Sequence, residues 1–219
     1  HAIVVLGMRT VLKLASTLTY LEYFERHAGE LRQLMVRSVL SAHLAAVTAD
    51  LRRFPQREEA YLAGMFQNLG EVLVAHHSPL RRAAIRTLVD EGMAQDEAAA
   101  RELGFTYDRL ATAVGFRWKL SPYLMSLWDS DATPMEVTGF ARFGHDLTQL
   151  MCVRAAAHQE PGLKLLGMKY GVPLRVSVDG IADIWERAVE DTRSTFANLG
   201  VSQSALGAPI TRMPLARSI

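Results

Sequence analysis

The sequence predicts an all-α protein, a multi-helix bundle packed around one buried central helix. Three observations predict it. Apolar residues recur at the three- and four-residue spacing of a helix face through most of the chain, and no run alternates apolar and polar residues as a strand would. Serine-proline, threonine-proline and glycine signals fall where helices would start and stop. The run Tyr61-Leu62-Ala63-Gly64-Met65-Phe66-Gln67-Asn68-Leu69-Gly70-Glu71-Val72-Leu73-Val74 is apolar almost all round, as only an enclosed helix can be.

In order along the chain, a turn at Leu6-Gly7 precedes a helix on which Val11, Leu12, Ala15, Leu18 and Leu21 share a face. A second helix runs from about Glu30 to Arg53, with a stripe of Leu31, Leu34, Met35, Ser38, Ala42, Ala45, Ala46 and Ala49, and Pro55 ends it. The central helix is expected over about Glu58 to Ala75. Ser78-Pro79 opens the next, which Gly92 closes. Ala94 to Leu103 forms a short helix stopped by Gly104, and Thr106 caps another through Trp118. Ser121-Pro122 starts a further one, and Thr133-Pro134-Met135-Glu136 launches a helix toward His158 that Gly139 and Gly144 weaken. Glu160-Pro161-Gly162 is expected to break the chain and to lead into a connector with a short helix. Ser177 then caps a last helix whose Ile181, Ile184, Trp185, Ala188, Val189, Thr192 and Phe196 fall on one face, ending at Gly200. This divides the chain into a helical domain over 1–159, a helical extension over 160–200 and a flexible tail over 201–219.

Composition excludes several classes. The 219 residues carry a formal net charge of +1, so no global pull toward nucleic acid or an anionic membrane exists. The single cysteine, Cys152, forms neither an internal disulfide nor a thiolate cluster, which points to a reducing, cytoplasmic setting. No apolar run reaches the roughly 20 residues of a membrane span. The sequence opens on His1 and not on Met, as is expected of a fragment of a longer polypeptide or of one whose first residues are not shown.

The motifs that carry chemistry are sparse. No two of the seven histidines form the His-x-x-x-His pattern that stacks two ligands on one helix face. No phosphate-binding glycine loop and no nucleophile elbow is present. His76-His77 close a helix, where cationic side chains complement the dipole. Trp118, Trp128 and Trp185 read as core or interface anchors. The oddity is the pair Gln67-Asn68, because a buried amide without partners costs about 1–3 kcal/mol.

Five motifs in sequence resemble one family. Ala2-Ile3-Val4-Val5-Leu6-Gly7, Arg37-Ser38, Ala63-Gly64-Met65-Phe66-Gln67-Asn68-Leu69-Gly70, Glu102-Leu103-Gly104 and Trp118-Lys119-Leu120-Ser121-Pro122 follow the order and spacing of HDOD domains. These are bacterial signalling modules related to the HD phosphohydrolases. The resemblance covers about Ala2 to Trp128 and implies an HD-like helical bundle with several helices before the Ala2 motif; either the sequence omits that first part, or the resemblance covers only the second part of the family's domain. It also implies, for active relatives, a His-Asp pair on the central helix and further histidines that hold divalent ions to activate water. Here that pair is Gln67-Asn68, the upstream histidine position carries Arg37, and the position after Gly104 carries Tyr107.

The resemblance therefore implies a non-catalytic regulatory or protein-interaction module, with no catalytic residue, metal or cofactor. Its expected partner is a signalling protein or another domain of the same polypeptide, through the last helix and the tail, and a homo-oligomer is compatible with the sequence. Arg37, Gln67, Asn68 and Tyr107 form either a satisfied polar cluster or a degenerate pocket that senses a nucleotide or cyclic dinucleotide. A divergent metal-dependent phosphohydrolase is the third reading.

Overall fold

The computed structural model describes residues 29–129, 136–153, 158–198, 200, 201 and 206. The helix expected before Leu21, the AI-x-x-LG motif and the Thr133-Pro134 cap lie outside the described residues. Within them the chain forms ten helices and no strand, so it is all-α. They are α1 (Glu30–Leu51), α2 (Arg57–Phe66), α3 (Leu69–His77), α4 (Pro79–Asp90), α5 (Gln95–Leu103), α6 (Tyr107–Arg117), α7 (Pro122–Met125), α8 (Glu136–Cys152), α9 (Gln159–Leu174) and α10 (Val178–Asn198).

The central helix is α1, not the Glu58 to Ala75 run. Every residue from Ser38 to Ala49 is buried, although the sequence shows only a stripe. The reason is small side chains: alanines and serines let neighbours approach α1 on several sides. Tyr61 and Met65 of α2 pack on Ala42 and Ala46, while Phe140, Phe143 and Leu147 of α8 pack near Leu40 and Leu44. A Cβ on Gly144 would stand 2.6 Å from the Ser41 carbonyl oxygen, so α8 lies directly on the α1 backbone there. Four buried hydroxyls are satisfied within their own helices: Ser38, Thr48, Thr148 and Thr192 each donate to the carbonyl four residues earlier. By length and composition alone α1 could cross a membrane, but 83% of its most apolar window is buried by the rest of the chain.

The helix expected over Glu58 to Ala75 is two helices, α2 and α3, broken at Gln67-Asn68. Two other expectations also change. Gly139 and Gly144 do not interrupt α8, whose packing against α1 outweighs their low propensity. Glu160-Pro161-Gly162 does not break the chain either, because Pro161 sits in the first turn of the 16-residue α9, where its missing N–H costs no hydrogen bond. Trp118 is exposed, whereas Trp128 and Trp185 are buried.

The apolar face read on the last helix is real and faces inward. Ile181, Ile184, Trp185, Ala188, Val189, Thr192 and Phe196 are all buried, and α10 shares one core with α1, α8 and α9. A polar latch adds to it: the His43 ring of α1 meets the Thr195 hydroxyl at 3.0 Å and stacks edge-on against Tyr61. Lys169 and the Tyr170 hydroxyl both donate to Asp146, tying α9 to α8. Leu206, from the stretch expected to be a tail, is 2% exposed and belongs to the same core.

Candidate functional site

The break between α2 and α3 builds the site. Gln67 still has helical dihedrals, but Asn68, at φ −98° and ψ 18°, turns the chain, and its carbonyl accepts from Val72 to begin α3 anew. The start of α3 then lies against the start of α6, since a Cβ on Gly70 would collide with the Tyr107 backbone. Only glycine permits that approach. Thr106 fixes the start of α6 by accepting a hydrogen bond from the Arg109 N–H at 3.2 Å.

Between these ends and the start of α5 lies a cleft of about 280 Å³. Gln67, Asn68 and Tyr107 line it, as the sequence grouping expects. Arg37 does not line it; it flanks the cleft on α1, near enough to act electrostatically on His145 and Cys152. The remaining chemistry comes from residues the grouping missed: Glu71, Asp96, Asp108 and His145.

Glu71 is buried and held. Arg82 of α4 donates to its Oε1 at 2.5 Å and reaches Glu30 of α1 at 3.2 Å, so one guanidinium joins α4, α3 and α1. Both charges are buried, and neither would be tolerated without the other. Tyr107 lies against this cluster, and burial foremost, with Glu71 and Glu30 adding and Arg82 opposing, raises its pKa to about 12, so the hydroxyl keeps its proton. Burial, opposed by Asp146 and Glu71 and aided by Arg37, lowers the pKa of His145, which is therefore a neutral ring in the neutral range; its Nδ1 has no hydrogen-bond partner among the described residues. Asp108 is raised, first by burial and then by neighbouring Asp96, with Arg142 opposing. Cys152, pushed up to about 12 by burial, is an inert thiol.

The donor set does not fit a divalent-ion centre. Gln67 and Asn68 offer neutral amides, the Glu71 carboxylate is engaged by Arg82, and no three His, Cys, Asp or Glu side chains among the described residues are grouped to hold a metal. Two signals for the missed residues were in the sequence. Glu71 is a lone carboxylate inside an apolar run, and Arg82 stands three residues before Ile85, on the buried side of α4. His145 carried none, because only folding brings α8 to the cleft.

The family model for the HDOD domain matches residues 1–134. The chain belongs to the HDOD domain family. No curated protein matches it significantly. Among solved structures, it is similar to the crystal structure of a "Putative phosphohydrolase" from Shewanella amazonensis SB2B, at 18% identity and a TM-score of 0.64, over 94% of this chain and 76% of that one. At that identity the likeness shows a shared fold. The HDOD match spans every cleft residue except His145, so α8, beyond the matched range, closes the cleft of this HDOD chain.

Proposed function

We propose that this HDOD chain is a non-catalytic regulatory module of bacterial signal transduction, acting in the cytoplasm by binding a signalling protein or another domain of its own polypeptide. The observation that carries the reading is the chemistry at the α2–α3 break. Where catalytic relatives are expected to place a His-Asp pair, two neutral amides stand, and the adjacent carboxylate of Glu71 is neutralised by Arg82. Water activation by a divalent ion needs anionic or imidazole ligands on an open ion, and this arrangement supplies neither in a group.

The test has two arms. Purified full-length protein is assayed for metal content and for hydrolysis of phosphate mono- and diesters with manganese, iron or magnesium, and its partners are captured from its native cells. The reading expects partner binding without turnover. Metal-dependent hydrolysis that is lost on replacing cleft residues would overturn it in favour of a divergent phosphohydrolase.

A further inference from the structure

The cleft has the polar character of a ligand site, and its charge specifies the ligand. Asn68 is 6% exposed and lines the cleft, yet none of the described residues hydrogen-bonds its side-chain amide. Gln67 Oε1 and His145 Nδ1 are likewise buried without a hydrogen-bond partner among the described residues. The Asn68 amide atoms, unlike these two, are not sealed off and face the cleft, where a bound donor can reach them.

Two arguments bear on the sign of that ligand. The starts of α3, α5 and α6 converge here, and helix N-termini favour anions. Against this, Asp96 and Asp108 line the cleft in the first turns of α5 and α6, where they already complement those dipoles. No lysine or arginine lines it, and Arg82 is committed to Glu71 and Glu30. A phosphate group would meet two carboxylates with no lining cation to pair with, which disfavours the nucleotide reading made from Arg37.

The geometry points to a binding site for a small organic cation, an amine or guanidinium compound, held by the Asp96 and Asp108 carboxylates and by the amide oxygen of Asn68. The volume of about 280 Å³ suits a ligand of a few carbon and nitrogen atoms. This site is independent of whether the chain also binds a protein partner.

Calorimetry on the full chain at physiological salt tests it, with spermidine and agmatine as probes and inorganic phosphate, AMP and manganese as counter-probes. At least one amine should bind with one-to-one stoichiometry, and the counter-probes should not. The double variant Asp96→Asn/Asp108→Asn, altered at exposed side chains, should keep its fold by circular dichroism and weaken amine binding by about tenfold or more. Glu160→Gln, a charge removed outside the cleft, should leave binding unchanged. The proposal is overturned if neither amine binds, if the double variant binds as well as the parent, or if phosphate, AMP or manganese binds instead. Partner capture without turnover would stand in any of those cases, so the two readings fail separately.

Discussion

Arg82 is the residue whose removal should be felt most sharply near the cleft. Its guanidinium is the hydrogen-bond partner of the buried Glu71 carboxylate, and truncating one member of a buried pair leaves the other charge uncompensated. Arg82→Ala should lower the unfolding free energy by about 3–5 kcal/mol in urea denaturation. The double variant Glu71→Met/Arg82→Met should recover most of that loss; a double variant as unstable as Arg82→Ala would show that the pair contributes more than mutual neutralisation. Asp108 gives a pH signature. Its pKa is raised in the folded state, so the folded chain binds a proton more readily than the unfolded one, and the group costs stability as pH rises through that raised value. Asp108→Asn should therefore gain stability relative to the parent as pH rises through that raised value. The relative gain should be absent below the ordinary aspartate range, where both states are protonated, and a pH-independent difference would contradict the raised pKa.

At the level of elements, the junction of α3 and α6 decides whether a cleft exists. Gly70→Ala places a methyl group into the Tyr107 backbone, which cannot move without shifting the start of α6. The substitution should cost about 1–3 kcal/mol by overpacking. It should also shift the amide resonances of the α6 first turn in NMR spectra; an unperturbed spectrum would sink this reading of the junction. Three helices end on a basic residue with positive φ: Arg53 after α1, Lys119 after α6 and Arg175 after α9, at 52°, 55° and 48°. Such residues are strained there relative to glycine, and the positive charge at a helix C-terminus offsets part of that cost. The sequence marks other stops by glycine, at Gly92, Gly104 and Gly200, all with positive φ, and the Glu30 helix by Pro55; the three basic residues carry no such mark, because a side chain that tolerates the left-handed region at a cost carries no distinct local signal.

For the molecule as a whole, the consequential fact is that α10 packs on α1. Phe196, 1% exposed, lies in the same apolar core as Leu34, Leu44 and Phe140. Phe196→Ala should destabilise the protein by about 3–5 kcal/mol, and thermal unfolding should stay a single transition. A separate early transition for α10 would instead make the stretch after residue 159 a dispensable appendage.

The helical class, most helix starts and the inward face of α10 were determined by the sequence itself, because caps, prolines and apolar periodicity act within a turn or two of the chain. Thr106, Pro79 and the Ile181 to Phe196 stripe are examples. That Gln67 and Asn68 stand where the family resemblance expects a His-Asp pair was legible too, as residue identity set against a family pattern. Which helix is central was not, since the run at Tyr61 is the more apolar in sequence while α1 is the more enclosed, through small residues whose burial depends on which neighbours arrive. The cleft was decided only by tertiary structure: it needs α3, α5 and α6 to begin at one place and α8 to bring His145 across, and it leaves Arg37 at the flank. Burial and charge pairing are properties of residues far apart in sequence, so the Glu71–Arg82 pair and the carboxylates at the cleft become visible once the chain is folded.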